Sequence, residues 1–143
     1  MSSSTSRNAA AHQNPQGEGD ARPMALHIIQ DEGLVNKFTD KVMLVTGSSS
    51  GIGVETVQAL HTTGAHISMQ VRDIKRGQGV LEEILTGSEG SGKLELLEME
   101  LDSLKSGWAG AKEFLKRSNK LNALVNNAGN LHYQKFSGTF DNP

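Results

Sequence analysis

The hydrophobic pattern changes period repeatedly between Met24 and Asn126. Lys41-Val42-Met43-Leu44-Val45-Thr46 holds an unbroken apolar run, which fits a strand buried on both faces at the centre of a parallel sheet. Over 54–63 the spacing is helical, with Val54, Val57, Leu60 and His61 returning to one side, and Gly64 ends it as a C-terminal glycine would. The alternation then repeats. A second strand over 65–71 leads into a helix over 73–85 that carries Ile74, Val80, Leu81 and Ile84. A loop of Gly, Ser and Glu over 86–92 separates it from a third strand at 93–99, a third helix at 103–117 and a fourth strand at 121–126. Strands and helices alternating at this spacing predict an α/β fold built on a doubly wound parallel sheet.

Upstream the pattern is different. Residues 1–23 are polar, contain Gly and Ser and show no period, so they read as a disordered tail. Residues 24–40 form a short helical lead-in, with Leu26, Ile29 and Leu34 roughly on one face and Gly33 weakening the pattern. The folded half-domain is expected over 41–129, followed by an irregular end over 130–143.

Composition mainly excludes. A net charge of -2 and a pI near 6.2 supply no general electrostatic reason to bind nucleic acid or anionic membranes. The absence of cysteine rules out disulfides, thiolate catalysis and Cys-type zinc sites, and is compatible with a reducing, cytoplasmic location. No stretch approaches the ~18–20 apolar residues that span a bilayer. The Ser- and Ala-rich start, with Arg7 and Arg22, faintly resembles an organelle transit peptide, against which stands the simpler reading of a solvated tail.

Four features carry candidate chemistry. Thr46-Gly47-Ser48-Ser49-Ser50-Gly51-Ile52-Gly53 lies between the first strand and the first helix of the alternation. Glycines there serve a tight turn, close approach of backbone to a pyrophosphate, and close helix–strand packing, while the helix N-terminus offers N–H groups to phosphates. The hydroxyls of Ser48, Ser49 and Ser50 add donors. A flexible linker has no reason to sit between a buried strand and a helix, and the Gly-Lys-Ser/Thr of a P-loop is missing. The second strand ends Gln70-Val71-Arg72-Asp73, with Lys75 and Arg76 following. Arg72 stands where a guanidinium could clamp a 2′-phosphate, which favours NADP(H) over NAD(H). The plainer alternative makes Asp73 a helix N-cap and the three cations a solvated face. Asp102, after the third strand, could accept from an adenine amino group or cap the helix that follows. Finally, the fourth strand ends Asn126-Asn127-Ala128-Gly129, whose amides could tie neighbouring strands or contact ribose.

Thr-Gly-x-x-x-Gly-Ile-Gly after strand one, taken with Asn-Asn-Ala-Gly after strand four, resembles the short-chain dehydrogenase/reductase family, and the resemblance covers 41–129 throughout. Val71-Arg72-Asp73 is similar to the NADP-preferring members, of carbonyl-reductase and retinol-dehydrogenase type, and the wording of 26–34 resembles fungal members, many of them biosynthetic. The resemblance implies a Rossmann-type sheet, truncated here after about four strands. It also implies NADP as cofactor, a small-molecule carbonyl or alcohol substrate, and a homo- or hetero-oligomer. Gly47, Ser49, Ser50, Gly51, Ile52, Gly53, Arg72, Asp102 and Asn127 are the residues expected to hold the cofactor.

In the family a Tyr acts as acid/base, a Lys four residues later tunes it, and a Ser orients the carbonyl, all on a fifth strand and its helix. No catalytic residue is assigned within 1–143. Tyr133 and Lys135 are two residues apart and so do not share the i, i+4 face, and His132 has no partner at metal-ligand spacing. The enzyme reading is an NADP-dependent short-chain oxidoreductase whose catalytic half lies outside these residues. Its alternatives are a non-catalytic NADP(H)-binding remnant, free or paired with a full-length relative, and an inert product of a decayed gene. Without further strands, Leu124 and Val125 occupy an edge and apolar helix faces lose their cover. The isolated 143-residue chain is therefore expected to be poorly soluble and marginally stable. Light scattering and thermal melts at micromolar concentration check this, and a soluble monomer with a cooperative melt would contradict it.

Overall fold

The computed structural model describes residues 8–129. After a short 3-10 turn at Ala9–His12, the elements are α1 (Ala25–Asp31), β1 (Val42–Val45), α2 (Ile52–Thr62), β2 (His66–Val71), α3 (Ile74–Gly87), β3 (Leu94–Glu98), α4 (Leu104–Arg117) and β4 (Ala123–Val125). The four strands form one parallel sheet in the order β3-β2-β1-β4. The chain therefore works outward from β1 to β3, then crosses back over the sheet to place β4 on the other side of β1. Since such crossovers keep one hand, reversing direction sends α4 to the opposite face from α2 and α3. This is the doubly wound sheet the periodicity predicts.

Side-chain alternation along the strands separates two cores. Met43 and Val45 join Ile67 and Met69 against Val57 of α2 and Ile84 of α3, all buried. Val42 and Leu44 point the other way, with Leu97, toward Phe114 of α4. That second face is only partly covered among the described residues. Leu44 and Leu124 pair in register on it, yet Leu44 is buried and Leu124 is 51% exposed. Leu104, Trp108 and Leu115 line one side of α4 and are exposed too. Among the described residues β4 is an edge strand. No helix among the described residues is long and apolar enough to cross a membrane.

Several boundaries differ from the periodicity. α2 begins at Ile52, two residues early, because Gly51 at φ 59° is where the backbone swings into the helix. α3 runs on through Thr86 and Gly87, which the composition assigns to a loop. Thr86 keeps its place by bonding Oγ1 to the carbonyl of Glu82, one turn back, at 2.8 Å. Gly33, rather than merely weakening α1, terminates it. At φ 65° its N–H reaches Gln30 O and that of Leu34 reaches Ile29 O, the paired bonds of a Schellman ending. The lead-in is also bound to the domain: Asn36 and Phe38 donate their N–H groups to the carbonyls of Thr62 and Thr63. Residues 8–23 are mostly exposed and turn around Asp20, whose carboxylate accepts from Gln16, Gly17 and Arg22. The irregular end expected over 130–143 lies outside the described residues.

One ionisable group sits in the sheet beside α4. Glu95 pairs in register with Ser68 and accepts from its Oγ at 3.1 Å and from Lys93 Nζ at 3.0 Å. His66 Nε2 lies 3.3 Å from the same carboxylate, at ion-pair distance but without hydrogen-bond alignment. Burial by itself raises the Glu95 pKa, but the Lys93 hydrogen bond, the His66 charge and the Ser68 hydroxyl outweigh it and hold it below the ordinary value of 4.5. The folded state therefore binds this proton less readily than the unfolded chain. The resulting stability is present above the unfolded value and is lost as pH falls through the lowered one. Melting temperature is expected to decline below about pH 4.5, and Glu95→Gln to flatten that decline relative to the parent. Melts from neutral to acid pH check it, an identical slope in both proteins being the contrary result.

Candidate functional site

In an open parallel sheet, ligands bind outside the carboxyl ends of the strands at the point where strand order reverses. Here that point lies between β1 and β4. The turn that follows β1 and the segment that leaves β4 meet there, and glycine is needed at three places for three different reasons. A Cβ on Gly47, which sits at φ 66°, would lie 2.8 Å from the Cα of Ala128. On Gly53 it would lie 2.2 Å from the carbonyl oxygen of Gly47, so the first turn of α2 packs directly on the loop. Gly51 takes φ 59° but faces open space, with no atom within 4 Å of its missing Cβ.

The turn is held from behind by the buried side chains of Thr46, Ser48 and Gln70 and by half-buried Asn127. Thr46 Oγ1 accepts the N–H groups of Asn127 and Ala128, each at 3.0 Å. Asn127 Nδ2 donates to the carbonyls of Thr46 at 2.9 Å and Gly47 at 3.3 Å. Of the two roles open to the Asn-Asn-Ala-Gly amides, the Asn127 side chain is engaged in tying the strands. Ser48 is corrected outright as a ligand donor. It is fully buried, and its Oγ donates inward to Val45 O at 2.9 Å and Gln70 O at 3.1 Å. Gln70 was not singled out by the sequence reading. Its Oε1 accepts the Gly47 N–H at 2.9 Å, and its Nε2 donates to the carbonyl of Met99 beyond β3. The available signal was an amide among apolar residues in a strand predicted to be buried.

The outward side is open by comparison. Asp73 caps α3, accepting the N–H groups of Lys75 and Arg76 at 2.9 and 3.1 Å, and Ser103 caps α4, accepting from Ser106 at 3.2 Å. No side chain caps α2. The Val54 and Glu55 N–H groups bond to the carbonyl of Gly51, whereas those of Ile52 and Gly53 have no bond among the described residues. Ser50, Gly51 and Ile52, the last 76% exposed, are exposed beside the space in front of Gly51, with Ser49 half-buried. Arg72, Lys75 and Arg76 are exposed at the end of β2, and none of their side chains has a hydrogen bond or ion pair among the described residues. Asp102 is exposed as well. Its alternative role as a helix cap is corrected, because Ser103 occupies that position.

Tyr133, Lys135 and His132 lie outside the described residues. Among the described residues no three His, Asp or Glu side chains are placed to hold a metal ion. A hollow of about 970 Å³ lies between residues 8–23 and α1, but it is lined only by residues up to Asp31 and has no part in the glycine turn.

Residues 41–142 match the family model described as short chain dehydrogenase. Short-chain dehydrogenase/reductase prx1 of Penicillium rubens is 50% identical over 113 residues, which are 79% of this chain and 32% of that protein. Retinol dehydrogenase 11 of Homo sapiens is 39% identical over 89 residues, 62% of this chain and 28% of that one. Among solved structures, a metagenomic short-chain oxidoreductase in complex with NADP aligns with a TM-score of 0.58 and 30% identity, over 64% of this chain and 40% of that one. The chain spans about a third of the length of the curated relatives it matches. A match that begins at the first strand and continues past the asparagine brace leads to one assignment: the chain belongs to the short-chain dehydrogenase/reductase family.

Proposed function

We propose that this chain binds NADP(H) and serves a short-chain oxidoreductase acting on a small-molecule carbonyl or alcohol. The observation that carries the cofactor reading is the contrast among the three helices that follow strands. α3 and α4 each begin under a side-chain cap, whereas α2 begins uncapped at a glycine that faces open space. An anion satisfies such a helix start by accepting its N–H groups and complementing its dipole, and a pyrophosphate matches the room left by the missing Cβ. Gly47, Ser49, Ser50, Gly51, Ile52 and Gly53 form that cradle. Asn127 keeps the cradle against β4, and Asp102 lies toward the adenine end, where its carboxylate is able to accept from an amino group. Bound there, the nicotinamide cofactor supplies hydride exchange with a carbonyl carbon.

Discrimination between the two forms of the cofactor falls to Arg72. Asp73 is turned back to cap α3 and so is not offered to ribose hydroxyls, while Arg72 has no side-chain partner among the described residues. A planar guanidinium without a carboxylate partner suits a 2′-phosphate, and Lys75 and Arg76 add positive charge nearby. One solved relative supports the same choice, being in complex with NADP.

Fluorescence titration with NADPH and NADH tests this. A charge-assisted hydrogen bond contributes about 1.5–3 kcal/mol, so NADPH is expected to bind at least tenfold more tightly than NADH. Arg72→Ala is expected to remove most of that difference while leaving NADH unaffected. Equal affinities in the parent would take away the role assigned to Arg72, and binding of neither nucleotide would end the cofactor reading.

A further inference from the structure

We infer that Gln70 is the positioning residue of the nucleotide site: a strut that spans three strand ends and decides which N–H groups of the glycine turn face the ligand. The inference rests on the nucleotide-binding reading above and adds a residue to it. Gln70 belongs to β2, the strand between β1 and β3, and is 3% exposed. Its side chain runs sideways across the carboxyl edge of the sheet. One end accepts the Gly47 N–H just after β1, and the other donates to Met99 O just after β3. Its own carbonyl accepts both the N–H and the Oγ of Ser48, each at 3.1 Å. One residue therefore fastens two consecutive residues of the turn and the exit of the neighbouring strand.

The chemistry of the amide is specific to this task. Gly47 N–H is only a donor and Met99 O only an acceptor, so the strut must offer an acceptor at one tip and a donor at the other. A carboxylate has no proton to give Met99, and an apolar side chain satisfies neither partner. A buried amide without such partners is costly in the middle of a sheet, so an apolar residue would serve packing alone better. With Gly47 and Ser48 bound inward and the Val54 and Glu55 N–H groups on the carbonyl of Gly51, the N–H groups left to a phosphate among the described residues run from Ser49 to Gly53. The Met99 bond holds the segment leading to Leu101 and Asp102 at a set distance from the turn. Gln70 thereby fixes the spacing between the pyrophosphate end of the site and its adenine end, without touching either.

The test separates the two ends of the nucleotide. Gln70→Met keeps the length and packing of the side chain but removes both bonds. NADPH, which must meet the turn, is expected to bind about tenfold more weakly, because the loosened turn has to be ordered as the ligand binds. Adenosine 2′-monophosphate, which reaches Arg72 but has no pyrophosphate, is expected to compete as well as before. Equal weakening of both probes, or of neither, overturns the strut. Hydrogen exchange on the unsubstituted chain provides a second measurement, decisive if Gln70→Met does not fold. The Gly47 amide should be protected before NADPH is added and unchanged afterwards, and exchange at an open-loop rate overturns the assignment. Should the unsubstituted chain bind neither probe, the cofactor reading falls and the strut with it; NADPH binding left intact by Gln70→Met removes the strut alone.

Discussion

Two segments about eighty residues apart in sequence have to share almost the same space at the carboxyl edge of the sheet. The turn after β1 and the residues after β4 approach until a Cβ on Gly47 would lie only 2.8 Å from the Cα of Ala128. Contact this close is possible only because Gly47 has no side chain and because its φ of 66° suits glycine. It brings Asn127 within reach of two turn carbonyls and lets Thr46 collect the N–H groups of Asn127 and Ala128. The parallel pairing of β1 with β4, the crevice at the reversal of strand order and the direction in which α2 departs all follow from that one approach.

Such proximity would be unfavourable if the polar backbone it buries were left without partners, at about 1–3 kcal/mol for each orphaned group. The protein answers with a short list of small polar residues where the hydrophobic pattern alone would call for aliphatic ones. Thr46, Ser48, Ser68 and Gln70 are all at most 5% exposed, and each is hydrogen-bonded. Their partners lie on different strands, so they also specify register. A slip of one residue would turn each of them to the opposite face and break the whole set at once. Apolar burial holds the layers together, and the polar set determines how they are aligned.

This division explains what could be read from the sequence. Periodicity and glycine placement are local, so the four strands, their order of appearance and the turn between β1 and α2 were legible from 41–126. So was the cap at Asp73, whose bonds reach only two and three residues along. Gln70 bonds to Gly47 and Met99, and Ser48 reaches Gln70 as well as nearby Val45. The distant partners lie more than twenty residues away, and no local pattern separates a serine aimed at a ligand from one aimed at a strand. His61 misled in a similar way. Counted with the apolar face of its helix, it is indeed buried, but its ring is bonded to Ser88 and Gly92 across the α3–β3 loop. The carbonyl of Gly92 can only accept, so Nε2 carries the proton in that bond, and the two glycines at 90 and 92 let the loop lie against the end of α2. Helix ends were misjudged for a further reason: Gly33 stops α1 while Gly87 is absorbed into α3, and the difference lies in the bonds made by the residues beyond each one.

The same contrast between satisfied and unsatisfied groups gives the site its character. Behind the turn, Thr46, Ser48, Gln70 and Asn127 spend their hydrogen bonds on the protein itself. In front of it, among the described residues, the start of α2 has no side-chain cap and Arg72 has no acid partner. A loop free on both sides would have to be ordered by its ligand, which lowers affinity by the entropy of that ordering. A loop bonded on both sides would have nothing to offer. Glycine by itself supplies room and mobility together, and only the first is useful for binding a phosphate. The buried polar residues remove the mobility and leave the room, so the cradle is already in shape while its outward donors remain unused.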